Sequence, residues 1–227
     1  MLEAYKNHLR ESWRVRREKP PLRAAKFVTP AVLVTGFYIG VCLLAVPEGK
    51  EADYHFLSER GLITAMSAAL LSAAAAFCFC ALAMRHRAQQ VDKKLLILMA
   101  MGFLFLALDE VAQFHERLGP LVPDVGYLGS FRNGNDIVVI LYGIVSLPIA
   151  AAVLPHLLRF RMMLECLVVA FGFYLVHTII DVTQDPRTVL SVIFEESSKL
   201  FCGSFMALGA YMGFADILES SADSDRS

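Results

Sequence analysis

Charge is what this chain has least of. Asp, Glu, Lys and Arg make up 19% of its 227 residues, while apolar side chains make up 56%. Soluble domains carry about 25% charged residues, and the mean hydropathy of +0.54 points away from them too. A chain of this composition cannot cover itself with polar surface, so a soluble globular protein is excluded and lipid is the expected solvent. Several signature motifs are missing as well. The sequence has no glycine-rich nucleotide loop, no serine-nucleophile motif and no C-x-x-C-H, which argues against ATP-driven transport and covalently held haem. Cysteine is sparse: Cys42, Cys78, Cys80, Cys166 and Cys202 all fall inside apolar runs, where a thiol acts as a small hydrophobe, so no disulfide framework is expected. Cys78 and Cys80 form a C-x-C, yet residues two apart on a helix diverge by roughly 200° and cannot share one metal.

What the chain does have is long apolar runs. Six begin near Ala31, Leu62, Leu95, Ile137, Met163 and Leu190 and end near Val46, Met84, Leu118, Leu154, Val182 and Phe214. Each approaches the length of about 20 residues that crosses a hydrocarbon core. The expected fold is all-α, a polytopic bundle of six transmembrane helices over residues 27–215. A basic segment, 1–26, precedes it, and a Ser- and Asp-rich tail, 216–227, is expected to be disordered. Ser67, Ser72 and the alanines of 73–76 give the second span a smooth face for close packing. Pro148 should kink the fourth span, and Asn135 with Asp136 should cap its start. The Gly- and Pro-rich loop 119–135 is the longest connection and a candidate lid.

The basic segment carries Lys6, Arg10, Arg14, Arg16, Arg17, Lys19, Arg23 and Lys26. No small-residue cleavage pattern follows it, so it reads as a retained segment. Its spacing suits a surface helix with Tyr5, Leu9, Trp13 and Val15 towards the bilayer and its arginines among anionic head groups. It is too short to suggest a nucleic-acid partner. With this end inside, fifteen of the 21 Lys and Arg residues lie on the inner side and five on the outer. That asymmetry predicts both termini in the cytoplasm of a multi-pass protein of the cell (inner) membrane.

Ionisable residues inside the spans gather at one depth. At about 1.5 Å per residue, Asp109 and His177 each rise about 21 Å from the inner end of an outward-running span. Glu195 and Glu196 lie about 8 to 9 Å below the outer surface on the inward-running sixth. Glu116, His115 and Asp181 sit nearer the rim, and Lys199 is one turn deeper than Glu195. Each charge costs about 2.5 to 3.5 kcal/mol at the membrane centre, so these groups should face the bundle interior in company.

The segment LALDEVAQFHERLG, read as one helix, sets Asp109, Gln113 and Glu116 on one stripe, with Glu110 and His115 flanking it. His177 and Asp181 are one turn apart, a spacing that lets both bind a metal or lets the carboxylate orient the imidazole. Glu195 or Glu196 can pair with Lys199 within the sixth span. Carboxylates with two imidazoles form the donor mixture of di-iron, di-manganese or zinc sites, although E-x-x-H is absent. The expected metal ligands are Asp109, His115, His177, Asp181, Glu195 and Glu196, the metal being zinc, iron or manganese. Glu116, Glu110 and Lys199 are the expected catalytic groups, with Glu116 as general base.

The segment LDEVAQFHE, with the later pair Glu195 and Glu196, resembles a pattern in bacterial multi-pass membrane proteins of no established activity. More distantly, the chain is similar to the alkaline ceramidase and adiponectin-receptor hydrolases, seven-helix proteins that bury a zinc site of His and Asp. That likeness implies such parts for His177, Asp181 and Asp109, although this chain has six spans and no H-x-x-x-H. The expected function is a metal-dependent membrane enzyme, a hydrolase or oxidase acting near the outer leaflet on a lipid or apolar small molecule. The alternatives are a proton or small-ion carrier, or a structural or sensory subunit of a larger complex.

Overall fold

The computed structural model describes residues 2–18, 23–57, 61–84, 93–121, 134–183 and 188–224, all helical or connecting. An amphipathic helix, α1 (Leu2–Glu18), is followed by α2 (Ala25–Leu44), the one-turn α3 (Tyr54–Leu57), α4 (Leu62–Met84) and α5 (Lys93–Ala112). A short α6 (Phe114–Leu118) and a 3-10 turn (Gly119–Leu121) come next, then α7 (Gly134–Leu157), α8 (Met163–Thr183) and α9 (Val189–Ser224). Six helices, α2, α4, α5, α7, α8 and α9, are long and apolar enough to cross a membrane. The protein is therefore an all-α, multi-pass membrane protein. The loop read as a lid lies mostly outside the described residues. Because α7 begins at Gly134, Asn135 and Asp136 occupy its first turn.

The last helix organises the others. α9 packs against α2, α4 and α8, and α4 packs in turn against α5, because α9 and α4 present small side chains to their neighbours. Ala74, Ala75 and Cys78 of α4 meet Ala207 and Ala210 of α9 together with Ala100 and Ala107 of α5. Ser67 is buried as the smooth-face reading expects, but Ser72 is exposed on the opposite side of α4. Without a hydrophobic force between helices in lipid, such close approach is what holds spans together. Gly209 marks a close backbone approach on α9: a Cβ there would lie 3.2 Å from Cys166 Cβ and 3.3 Å from the Met163 carbonyl oxygen. A buried hydroxyl pair, Thr35 Oγ1 and Ser204 Oγ at 2.8 Å, fastens α2 to the same helix.

One end of the bundle is tied by polar contacts among α1, the α7–α8 turn and the end of α9. Tyr5 donates to the Ala151 carbonyl at 2.6 Å, Arg16 pairs with Glu165, and Arg159 reaches Ser12 and His8 at 3.4 and 3.1 Å. Arg161 donates through its backbone N–H and Nε to Asp216, both at 2.7 Å, and also pairs with Glu219. Burial opposes the guanidinium charge, but these two carboxylates outweigh it and hold its pKa above the ordinary value. Here the structure departs from the expected disordered tail. α9 runs on to Ser224, because Asp216 and Glu219 are bonded to Arg161 and Ile217 is buried beside Leu157 and Phe160.

Close packing at Gly209 makes a testable contrast. Gly209→Leu should destabilise the bundle by about 1 to 3 kcal/mol through overpacking, read as a lower melting temperature in detergent. Gly102→Leu, where nothing lies within 4 Å, should leave melting within about 0.5 kcal/mol of the parent.

Candidate functional site

The site begins with a break in a helix. α5 closes at Ala112, its last turn sealed by the Gln113 N–H donating to the Asp109 carbonyl at 2.7 Å. Gln113 then adopts a left-handed conformation, φ 57° and ψ 45°, which costs a non-glycine residue about 1 to 3 kcal/mol. The turn folds the chain back on itself. The His115 backbone N–H donates to Asp109 Oδ1 at 3.0 Å, and its ring Nδ1 lies 2.8 Å from Asp109 Oδ2. The expected continuous third span, with Asp109 and Gln113 on one stripe, is thereby corrected. The left-handed residue resets the helical phase, and His115 rather than Gln113 comes to Asp109.

Two attachments fix the imidazole relative to a buried carboxylate, since Asp109 is 7% exposed. With Asp109 ionised, Nδ1 carries the proton it donates and Nε2 is left basic. Burial disfavours the imidazolium and Lys199 opposes it, while the hydrogen bond and charge of Asp109, helped by Glu116, favour it. The net effect holds the His115 pKa above its ordinary value of 6.5.

A second pairing crosses the bundle. Lys199 Nζ of α9 stands 2.8 Å from Glu110 Oε1 of α5 and 3.0 Å from Glu196 Oε2, one turn away on its own helix. Both oxygens are buried, so Lys199 and the two carboxylates form a short ion pair held away from water. The intrahelical pair expected for Lys199 forms with Glu196, and the stronger structural consequence is the link from α9 to α5.

Around these pairs is a cavity of about 420 Å³. Its wall includes every candidate named from the sequence: Asp109, Glu110, His115 and Glu116 from α5 and α6; His177 and Asp181 from α8; and Glu195, Glu196 and Lys199 from α9. Glu195 is buried. His177 Nδ1 is buried without a hydrogen-bond partner, so Asp181 does not orient the ring through that atom. α7 contributes Val139 and Tyr142, whereas its other end, at Ala151, meets α1. The cavity therefore occupies the end of the bundle opposite α1.

Sequence reasoning missed Tyr142, whose hydroxyl neighbours Asp109. A tyrosine one turn inside an apolar span was the available signal. Tyr174, which lines the cavity, donates to the Val139 carbonyl at 2.6 Å. Its ring fills the space where Gly143 has no side chain, a Cβ there lying 2.8 Å from the phenol oxygen. Thr64 and Ser67 of α4 complete the polar lining.

Among the described residues, no three His, Cys, Asp or Glu side chains converge in an arrangement able to hold a metal ion. The expected ligands share the cavity, but Asp109 is turned to His115 and Glu196 to Lys199.

The strain at Gln113 gives a direct test. Gln113→Gly should fold with equal or greater thermal stability, glycine adopting φ > 0 freely. Gln113→Val should lower stability by about 1 to 3 kcal/mol and weaken the His115 contact, visible as a changed His115 ring resonance.

No curated protein and no solved structure matches the chain. A family model does match, over residues 25–212, a stretch containing every residue of the cavity wall. Its description carries no activity and gives no support to the hydrolase-superfamily likeness. The chain belongs to the DUF8692 family, a domain of unknown function.

Proposed function

We propose that the protein is a membrane-embedded enzyme that hydrolyses a lipid or other apolar substrate in this cavity, with His115 as general base and Asp109 as its orienting partner. The observation that supports the reading most is the double attachment of His115 to a buried carboxylate at the wall of an acid-lined cavity. An imidazole so held presents one basic nitrogen in a fixed direction. It takes a proton from a water molecule whose oxygen attacks the substrate's acyl carbon, and as the acyl bond breaks it returns that proton to the leaving atom, the oxygen of an ester or the nitrogen of an amide. Lys199, set between Glu110 and Glu196, supplies a positive potential for the developing oxyanion. The excess of Lys and Arg at the other end supports a cavity facing the outer leaflet of the cell membrane.

A second reading adds a divalent zinc, iron or manganese ion, favoured by the two imidazoles and the several carboxylates that share the cavity wall. No three such side chains converge among the described residues, so an ion would have to draw its ligands from the wall's imidazoles and carboxylates by side-chain rearrangement, and it would polarise the bond to be cleaved. Purification without added metal, followed by mass spectrometry, tests it. Stoichiometric metal that is lost in a folded His177→Ala variant supports the ion, and its absence from both proteins removes the ion and leaves the dyad.

Turnover across a panel of ester and amide lipids in nanodiscs tests the dyad. His115→Ala should lower the rate by about 10²- to 10⁴-fold with folding retained; an unchanged rate would rule out the assignment. The base works unprotonated, and its pKa is held above 6.5, so kcat/KM should rise with pH through a midpoint above that value. Asp109→Asn removes the partner that favours the imidazolium, so the midpoint should move down.

A further inference from the structure

Helix α1 has three sides of different composition. Towards the bundle, Tyr5 donates to the Ala151 carbonyl of α7, Ser12 is buried beside Arg159, and Arg16 pairs with Glu165 of α8. At about 100° per residue these three lie within roughly 40° of one another. Next around the helix come Leu9 and Trp13, the indole 47% exposed. Lys6, Arg10 and Arg17 follow, all exposed and within roughly 60° of one another and of Trp13. The third side carries Glu11 and Glu18, which Arg14 joins at 2.8 and 4.0 Å, with Glu3 at its border. Tyr5 and Val15, expected to face lipid with Leu9 and Trp13, point elsewhere: Tyr5 meets α7, and Val15 is turned about 200° from Trp13.

Two further observations show what the free side faces. Ala151 lies within a membrane-spanning segment, six residues before the end of α7 at Leu157, or about 9 Å inside that end. Tyr5 therefore holds α1 against the flank of a span, near the level where hydrocarbon gives way to head groups. The bases are also unequal in their engagement. Arg14 and Arg16 have carboxylate partners, whereas Lys6, Arg10 and Arg17 enter no ion pair among the described residues. A tryptophan at this depth suits the membrane interface, and unpaired cations beside it attract a negatively charged lipid surface.

We infer that this side of α1 binds the head groups of phospholipids of net negative charge in the surrounding bilayer, with Leu9 and Trp13 entering the head-group boundary and Lys6, Arg10 and Arg17 meeting the phosphates. The interaction is separate from the chemistry of the cavity, which lies at the opposite end of the bundle.

Trp13 is the chain's single tryptophan, so its fluorescence reports on α1 alone. The test places the full chain in phosphatidylcholine nanodiscs with an equal small share of spin-labelled quencher lipid, either phosphatidylglycerol or phosphatidylcholine, labelled at the same shallow acyl position. The labelled phosphatidylglycerol should quench Trp13 severalfold more strongly at low salt, and molar salt should remove most of that excess. A Lys6→Gln, Arg10→Gln, Arg17→Gln triple variant with parental melting should be quenched equally by the two lipids. Equal quenching of the parent protein would overturn the inference, as would an excess that the folded triple variant retains. Should that variant not fold, the salt series on the parent decides: an excess indifferent to salt would overturn it.

Discussion

A carboxylate carried into the hydrocarbon of a membrane must find a compensating partner or give up its charge, and this constraint shapes the end of the bundle that holds the cavity. Asp109 meets the backbone and ring of His115; Glu110 and Glu196 meet Lys199. The first contact requires the chain to turn back after α5, and the left-handed Gln113 makes that turn. The second requires α9 to stand opposite α5 at the right height, which the small-residue packing of α4 against both allows. Backbone strain and helix packing thus serve the placement of a few ionisable groups.

α9 is the structural counterpart of that arrangement. It carries the buried Glu195, together with Glu196 and Lys199, at one end, the Gly209 contact with α8 midway, and the Asp216 and Glu219 pairs with Arg161 at the other. α7, by contrast, is covered little by its neighbours and joins the cavity wall chiefly through Val139, Tyr142 and the Tyr174 bond.

The spans were legible in the sequence because hydropathy over about 20 residues is a strong signal. Their depth arithmetic also brought Asp109, His177, Glu195 and Glu196 to one level, and the same residues line the cavity. What could not be read were departures from regular helix. Nothing about glutamine announces a positive φ, so the break at Gln113, and with it the Asp109–His115 contact, stayed hidden. Lys199 offered two carboxylates on its own helix, yet one of its two partners, Glu110, comes from another, since helix-to-helix distances are not written in spacing. The continuation of α9 past Asp216 depends on Arg161, 55 positions away. Composition favoured a disordered tail, and a buried ion pair reversed it.

The most direct test of the account is the tautomer of His115. Nitrogen-15 spectra of the ring, in bilayers and above its pKa, should show Nδ1 protonated and hydrogen-bonded, with Nε2 free of its proton and the pattern lost in Asp109→Asn. A ring protonated at Nε2 that is indifferent to Asp109→Asn would contradict the oriented base on which the proposed chemistry depends.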